Sequence, residues 1–378
     1  MKKIIAVLAG DGIGPEVMSS TLKVLKLIEE LYCHQFKYKH LLVGGSAYDK
    51  YRTHLPNHTI NGCKTSDAIL FGSVGGPVDS LNSIKWANCE TNSILALRQL
   101  FNFDINIRPI RSYRELRDNS PLNISAINQG VDIEIFRELS SDIYFGEHRE
   151  FIKNDGIRCA TDLAEYDETS IRSITKKAFE RANIRRKKLI SVDKANVLST
   201  SKLWREIVNE EAKNYPTVSV NHMYVDNCAM QMVLNPGQFD IVLTSNLFGD
   251  IISDLASVIP GSIGLVPSIS LNKLGFGLYE PSGGSAYNIS NKNIANPIAQ
   301  ILSASLMLEY SFHLYDESEL IRNSIQNALK KGARTQDINR NRQYKNLSTI
   351  DFTKFIIDEM KILFHRKLIN KEQSQMFS

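Results

Sequence analysis

The chain has 378 residues, more than one hydrophobic core usually holds, so two domains are expected. With 43% hydrophobic and 23% charged residues, the composition is that of a globular protein and excludes disordered and fibrous classes. The net charge of +4 is small, and no apolar run approaches the ~20 residues that a membrane span requires. Neither nucleic acid nor membrane is therefore expected as a partner.

The cysteines point to a reducing compartment. Five cysteines are an odd number, and none falls in a CxxC pair, so neither a disulfide framework nor a thiolate zinc site is predicted. The apolar run at residues 4–9 is too short for a signal peptide and is interpreted as a buried strand. The expected location is cytoplasmic.

The first elements predict an α/β fold. A β-branched apolar run at residues 2–9 indicates a strand, and the glycine turn at residues 10–16 ends with Pro15 and Glu16, which suit the first turn of a helix. Apolar residues at helical spacing continue from Val17 to Ile28. Strand, glycine turn and helix together form the opening of an α/β unit.

Glycine-rich segments give no standard nucleotide fingerprint. The turn at residues 10–14 lacks the GxGxxG spacing of a Rossmann site. A second segment, at residues 280–286, is open to two interpretations: a flexible loop, or a cradle whose backbone amides contact phosphate. The pattern alone favours a bare turn.

Three later strands each deliver polar residues at their carboxyl ends. The predicted strands are residues 188–192, 218–225 and 239–244. Lys194 and Asp226 follow the first two, and the helix after the third carries Asp250 and Asp254. Because ligands of open α/β sheets bind at the carboxyl ends of strands, these side chains are expected to gather at one or two clefts.

Asp250 and Asp254 are four residues apart and share a helical face. They could hold Mg²⁺ or Mn²⁺, which prefer oxygen ligands, or they could form a solvated face. Spacing alone favours the solvated face, and the neighbouring Asp226 shifts the balance toward a metal. Lys194 is either a general base, if its surroundings favour the neutral amine, or a surface lysine at a helix start, where the helix dipole opposes a cation.

Arginines upstream suit a carboxylate substrate. Arg98, Arg108 and Arg137 could clamp a dicarboxylic acid, because guanidinium groups match carboxylates bidentately. Each arginine by itself is better explained as a surface ion pair. Tyr144 lies between Ile143 and Phe145, a setting more typical of a packed core tyrosine than of an acid catalyst.

These segments together resemble the β-decarboxylating dehydrogenases of the isocitrate/isopropylmalate dehydrogenase family. The resemblance runs in consistent order from the first strand to about Asp337, through GDGIGPEV (residues 10–17), LALR (95–98), IYFG (143–146), SVDKANVL (191–198), MYVDNCAMQMV (223–233) and SNLFGDIISD (245–254). It implies two interleaved α/β domains with a cleft between them and a non-Rossmann cofactor site. One domain would comprise residues 1–103 and 261–378, and the other, carrying the dimer interface, residues 104–260.

The resemblance also implies roles. Arg98, Arg108 and Arg137 would bind the substrate carboxylates, Asp226, Asp250 and Asp254 would hold Mg²⁺ or Mn²⁺, and Lys194 and Tyr144 would be catalytic. Asp226 would also contact the substrate. The family implies a homodimer in which Lys194 and Asp226 serve the active site of the partner subunit.

Substrate choice depends on four further positions. Glu90, Ile94, Leu95 and Val197 match those that meet the alkyl group in isopropylmalate enzymes, whereas a third carboxylate, as in isocitrate, would need polar groups. The expected activity is therefore NAD-dependent oxidation and decarboxylation of 3-isopropylmalate. D-malate, tartrate or isocitrate, or an inactive paralogue, are the alternatives.

The predicted NAD site departs from the family pattern, with Tyr287-Asn288 in place of Pro-Asp and Ser290-Asn291 in place of Ala-Gly. Its residues are Glu280, Pro281, Gly284, Ser285, Ala286, Asn288 and Asn296. Asn288 stands where the family has an aspartate that repels the 2′-phosphate of NADP, so discrimination against NADP is expected to be weaker. Residues 140–142 are Ser-Ser-Asp where the family has Thr-Gly-Gly, which is expected to place the extra carboxylate of Asp142 near a substrate arginine.

Overall fold

The computed structural model describes residues 1–80 and 83–376. The strands are β1 (Lys2–Gly10), β2 (Gln35–His40), β3 (Ala68–Ser73), β4 (Ile105–Arg111), β5 (Asp132–Glu138), β6 (His148–Ile152), β7 (Arg158–Asp162), β8 (Lys188–Asp193), β9 (Ser219–Tyr224), β10 (Ile241–Thr244), β11 (Pro267–Leu271) and β12 (Gly277–Pro281). The helices are α1 (Gly14–Tyr32), α2 (Gly45–Tyr51), α3 (Asn57–Lys64), α4 (Ala96–Leu100), α5 (Ile124–Ile127), α6 (Glu168–Ile184), α7 (Ser199–Ala212), α8 (Val225–Leu234), α9 (Asn246–Ser257), α10 (Ile298–Tyr310), α11 (Tyr315–Lys330) and α12 (Thr349–Met376).

A single mixed sheet of ten strands runs through the molecule in the order β2-β1-β3-β12-β11-β4-β5-β10-β8-β9. The pairs at both ends are parallel, and the three in the middle, β12–β11, β11–β4 and β4–β5, are antiparallel. Strands β6 and β7 form a separate antiparallel hairpin. Helices and a largely parallel sheet confirm the predicted α/β class.

The two predicted domain segments meet within the sheet. Strand β11, from the later segment, pairs with β4 of the central one, with Ile269 opposite Ile107. The sheet is therefore continuous across the boundary between the two predicted domains, between which the chain is predicted to cross near residues 103 and 260. The division itself stays a prediction, and residues 377 and 378 of the later segment lie outside the described part of the chain.

Helix α10 explains how the middle of the sheet is covered. Its residues from Ile298 to Glu309 are all buried, as expected for a helix without a polar face. It packs against β11, β12 and α11. The largest apolar cluster continues from there to Val24 of α1 and Phe352 of α12. The loops at the strand ends are thus built on a fully packed base.

The first glycine turn is required by a close approach. Gly12 has a φ of 59°, and a Cβ there would lie 1.9 Å from the carbonyl oxygen of Ser285. The next residue, Ile13, donates its N–H to that oxygen at 2.8 Å. The first turn and the segment at residues 280–286 are therefore joined through backbone atoms.

Two predicted exclusions concern features that can be described directly. The five cysteines are all unpaired thiols. Among residues 1–80 and 83–376, no helix combines the length and apolarity that crossing a membrane would need.

Candidate active site

Arg137 is the buried centre of the substrate-binding candidates. It lies on β5, 5% exposed, and its Nε and Nη2 donate to Oδ1 of Asn246 at 3.0 and 2.8 Å. Its Nη1 pairs with Asp250. Burial lowers the pKa of Arg137, and the carboxylate of Asp250 partly offsets this effect.

Arg98 and Arg108 stand close to Arg137. Arg108, on β4, pairs with Asp254, and Arg98, on α4, donates to Glu280 with Nη2 and Oε1 2.9 Å apart. The positive charges of Arg98 and Arg108 further lower the pKa of Arg137, so both guanidinium groups are close enough to interact with it electrostatically. The structure thus brings the three predicted arginines together. Their ion pairs are with predicted site residues rather than with arbitrary surface groups.

Tyr144 belongs to the same cluster. Its side chain is 44% exposed, so the interpretation as a packed core tyrosine is wrong. The hydroxyl donates to Oδ2 of Asp250 at 2.8 Å, and the guanidinium of Arg137 lies 5.4 Å from the ring centre. Partial burial and the hydrogen bond to Asp250 raise the pKa of Tyr144, which favours the protonated phenol.

Asp250 and Asp254 lie one turn apart on α9, as predicted. They are not simply a solvated face, because each is paired with an arginine of the cluster. These two aspartates, with Tyr144, Arg108 and Arg137, define what we call the arginine–aspartate cluster.

Lys194 and Asp226 form a second group. Nζ of Lys194 lies 2.8 Å from Oδ1 of Asp226, and this hydrogen bond lowers the pKa of the exposed Asp226 carboxyl. Asp226 is in the first turn of α8, one residue beyond the predicted strand. Lys194 does not start a helix: its N–H donates to Oγ of Ser201 at 3.0 Å, and α7 begins only at Ser199. The predicted conflict with a helix dipole is therefore wrong.

The two groups remain separate within one chain. In the described residues, no three carboxylate, histidine or cysteine side chains are close enough to hold a metal ion. Asp250 and Asp254 are together, while Asp226 belongs to the Lys194 group. The sequence predicted that these side chains gather at one or two clefts, and within one chain they form two groups.

The predicted alkyl-contacting residues also divide between the groups. Ile94 and Leu95 close a π-helical turn, Thr91–Leu95, directly before the helix of Arg98, and Leu95 is exposed. Glu90 precedes the turn, with Oε1 3.3 Å from where a Cβ on Gly75 would lie. Val197 is exposed on the turn that follows Lys194.

A cavity of about 460 Å³ lies beside the segment at residues 280–286. Four of the predicted cofactor residues line it: Pro281, Gly284, Ala286 and Asn296. The other three are placed differently. Glu280 pairs with Arg98, the carbonyl of Ser285 accepts from Ile13, and Asn288 is exposed in the 3-10 turn Tyr287–Ile289.

The family model for isocitrate/isopropylmalate dehydrogenases matches residues 4–356. The chain belongs to this family. Three of its similar relatives are curated as 3-isopropylmalate dehydrogenase. That of Buchnera aphidicola subsp. Macrosiphoniella ludovicianae is 50% identical over 88% of this chain and 92% of its own length. Those of Aquifex aeolicus and Haemophilus influenzae are each 48% identical, over 89% and 88% of this chain and 92% and 93% of theirs.

Solved structures agree with this membership. An isocitrate dehydrogenase from Methylococcus capsulatus is 31% identical with a TM-score of 0.79, over 95% of this chain and 99% of that chain. A β-decarboxylating dehydrogenase from Thermococcus kodakarensis in its apo form is 33% identical with a TM-score of 0.78, over 96% and 97%. The family likeness therefore extends over nearly the whole chain.

Some cavity residues of this family member were not predicted from the sequence. Ile13, Gly264, Gln300 and Asp337 also line the cavity. Oδ2 of Asp337 accepts from Nδ2 of Asn296 at 3.0 Å, across 41 residues of sequence. No local pattern marks such a pairing. In the sequence, Asp337 marks only the approximate end of the family resemblance, and nothing there indicates a contact with the cavity.

The extra carboxylate at position 142 does not face the arginines. Asp142 is buried, and its oxygens accept from the N–H groups of Ile143 and Leu247. Its connection to Arg137 is indirect, through Asn246. The expectation that this carboxylate lies near a substrate arginine holds only in that indirect sense.

Proposed function

We propose that this protein oxidises 3-isopropylmalate with NAD and decarboxylates the product to 4-methyl-2-oxopentanoate, a step of leucine biosynthesis. The observation that carries the proposal is the convergence of three arginines beside the partly apolar segment at residues 90–95. Three cations suit the two carboxylates of this substrate, and Ile94 and Leu95 suit its isopropyl group. The curated names of the relatives support the same activity.

Each polar residue has a role in this proposal. Arg98, Arg108 and Arg137 bind the substrate carboxylates. Lys194 takes the proton of the 2-hydroxyl group as hydride leaves C2. Tyr144 donates a proton to C3 after decarboxylation, and its raised pKa keeps that proton in place at neutral pH.

The donor set fits a hard divalent cation. Asp250 and Asp254 present carboxylate oxygens from one helical face, and Asp226 would complete the ligands. Bound Mg²⁺ or Mn²⁺ would supply Lewis-acid stabilisation of negative charge on substrate oxygens. Asp250 and Asp254 are paired with Arg137 and Arg108 in this structure. On binding, the substrate carboxylates would pair with the arginines, and the aspartates would be free to bind the cation.

The cavity fits an adenosine-containing cofactor. Its lining is mostly apolar, and Gly264 lets Asn296 and Asp337 approach the backbone, since a Cβ there would lie 3.1 Å from Oδ2 of Asp337. Pro281, Gly284, Ala286 and Asn296 would contact NAD directly, with Glu280 and Ser285 beside them and Asn288 near the ribose. Bound NAD would accept the hydride.

We propose further that two copies share each active site. Lys194 and Asp226 would then meet the arginine–aspartate cluster of the partner subunit, which explains why one chain separates them. Helices α8 and α9 pack together and leave apolar side chains exposed, as expected of a face that a second copy covers. These residues are Met230, Val233, Leu234 and Ile251, together with Val258 directly after α9.

Mixing two inactive variants tests this sharing. Lys194→Met and Arg137→Met each remove one group from every site of a homodimer. After co-refolding, half of the dimers are hybrids with one intact site, which restores up to about a quarter of wild-type activity. Recovery no greater than the two variants' separate activities would contradict shared sites.

The activity is tested by following NADH formation with 3-isopropylmalate and Mg²⁺, with D-malate, tartrate, isocitrate and NADP in parallel. We expect turnover with 3-isopropylmalate and NAD. Turnover with another 2-hydroxy acid alone would contradict the role of Ile94 and Leu95, and none from a folded dimer would favour the inactive paralogue. The five unpaired cysteines suit the cytoplasm, where we propose that the enzyme acts.

A further inference from the structure

Helix α9 begins without a cap of its own. The side chain of Ser245, the N-cap residue, makes no capping hydrogen bond. Instead, the N–H of Asn246 donates to the hydroxyl of Tyr166 at 2.8 Å, and that of Leu247 donates to Oδ2 of Asp142 at 3.1 Å. The first turn of this helix is therefore held by side chains from another part of the chain.

Asp142 is committed to this task. The residue is 7% exposed, and its Oδ1 accepts from the N–H of Ile143 at 2.9 Å. Oδ2 accepts a second hydrogen bond, from the hydroxyl of Tyr166 at 3.2 Å. Burial and the nearby carboxylates of Glu138 and Asp142 raise the pKa of Tyr166, so its hydroxyl remains a donor. A carboxylate at a helix N-terminus also interacts favourably with the helix dipole.

Asn246 connects this cap to the arginine–aspartate cluster. Its Oδ1 accepts both hydrogen bonds from Arg137, and its Nδ2 donates to the carbonyl of Ser141 at 2.9 Å. One amide group thus orients the buried guanidinium and fixes the chain beside Asp142. The rest of α9 carries Asp250 and Asp254.

The backbone of Asp142 also starts the turn that presents Tyr144. Its carbonyl accepts from the N–H groups of Phe145 and Gly146 at 3.1 and 3.2 Å. The φ of Asp142 is 74°, in the left-handed region. Upstream, the carboxylate of Glu138 accepts from the N–H groups of Ser140 and Ser141 at 2.7 and 2.9 Å. Asp142 therefore stands where the loop of Tyr144 meets the helix of the two aspartates.

We propose that Asp142 is a positioning residue that holds the first turn of α9 and thereby sets Arg137 and Tyr144 for the substrate. It touches no reacting group itself. The inference rests on the proposed function only in naming the substrate whose binding Asp142 supports.

Two variants of Asp142 separate the effect of its carboxylate from that of its backbone conformation, and a third variant serves as the control. Asp142→Gly removes the carboxylate while accepting the left-handed φ without strain. Asp142→Asn keeps an oxygen that can accept from Leu247. Ser348→Gly is the matched control, because the hydroxyl of Ser348 accepts from the N–H of Asp351 at the start of α12, which carries no proposed site residue.

Steady-state kinetics with 3-isopropylmalate, Mg²⁺ and NAD give the first readout. Asp142→Gly is expected to raise the KM for 3-isopropylmalate by about 10- to 100-fold, the usual effect of losing a group that orients binding residues. The KM for NAD should stay within about two-fold, since the cofactor cavity lies on other elements. Asp142→Asn should recover most of the loss, and Ser348→Gly should leave both KM values unchanged.

Hydrogen exchange gives a readout that does not require turnover. In Asp142→Gly, the amides of Asn246 and Leu247 should exchange faster than in the wild type. In Asp142→Asn, they should exchange more slowly than in Asp142→Gly. Unchanged exchange, or a lower thermal midpoint with an unchanged KM for 3-isopropylmalate, would overturn the proposal. A wild-type enzyme inactive on 3-isopropylmalate would contradict the proposed function instead, and exchange at Leu247 would still decide the role of Asp142.

Discussion

The arginine–aspartate cluster and the cofactor cavity are built on different physical principles. In the cluster, Arg137 with Asp250 and Arg108 with Asp254 neutralise each other across 113 and 146 residues of sequence. In the cavity, glycines and apolar side chains leave about 460 Å³ of space, and Asp337 is the one charged side chain among its lining residues in the described chain. One region is a set of mutually engaged charges, and the other is a preformed shape.

This difference decides how each region responds to its ligand. In the proposed function, substrate carboxylates and a divalent cation would have to replace existing ion pairs, so they would gain only the difference between the new and the old interactions. A cofactor entering an open apolar cavity displaces no ion pair. We therefore expect the cluster to be sensitive to charge and the cavity to be sensitive to shape and to local repulsion.

The largest effect should follow from Asp250→Asn. It removes a proposed metal ligand and the charge partner of buried Arg137, so kcat/KM should fall by roughly a thousand-fold, the order expected when several kcal/mol of charge stabilisation is lost. Calorimetric titration should show weaker Mg²⁺ binding with NAD affinity unchanged. Asp358→Asn, at an exposed position on α12, is the control. Undiminished Mg²⁺ affinity would contradict the assignment.

Tyr144→Phe should lower kcat by about a hundred-fold, the effect of losing a positioned proton donor. Because the pKa of Tyr144 is raised, the phenol holds its proton to higher pH than usual, and wild-type activity should show no loss from this group below about pH 10. The deficit of the variant should therefore be constant between about pH 6 and pH 9. A deficit that appears only at alkaline pH would argue against proton donation, and exposed Tyr315→Phe is the matched control.

In the cofactor region, Asn288→Asp should sharpen the preference for NAD. A carboxylate near the ribose repels a 2′-phosphate, so the ratio of kcat/KM for NAD to that for NADP should rise about ten-fold. Asn154→Asp, in the turn between β6 and β7, changes the net charge equally and should leave the ratio unchanged. An unaltered ratio in Asn288→Asp would mean that the ribose does not lie near Asn288.

The smallest effect compares the two regions directly. Raising the salt concentration from about 0.05 to 0.5 M screens exposed charges, so the KM for 3-isopropylmalate should rise roughly two- to five-fold. The KM for NAD should change less, because the cavity lining is mostly uncharged. Equal salt dependence of the two KM values would remove the distinction between the regions.

Sequence patterns could place these candidate residues on the fold because the residues follow regular elements. The helical spacing of Asp250 and Asp254 and the position of Lys194 after β8 could be predicted from periodicity alone. Periodicity could not find the end of the turn after Lys194. Asp193 accepts hydrogen bonds from the N–H of Ala195 and from Arg205. The turn at these residues precedes the helix, which begins only at Ser199.

The exposure of Tyr144 and the contacts of Asp142 could not be predicted from the sequence for a similar reason. Local composition places Tyr144 in an apolar run, yet its hydroxyl meets Asp250, 106 residues later. Asp142 meets Leu247 across 105 residues. Side chains that act through partners so distant in sequence leave no local pattern. The family resemblance pointed to Tyr144 but not to the contact of Asp142 with α9.

The insertion of β12 beside β3 has a consequence for the growing chain on the ribosome. Ile69 of β3 pairs with Leu278 of β12, so the amino-terminal strands have an open edge until the later strand has been synthesised. An unpaired strand edge is a template for association with other chains. This edge therefore stays open to unwanted pairing through most of translation, and sheet closure awaits the last third of the polypeptide.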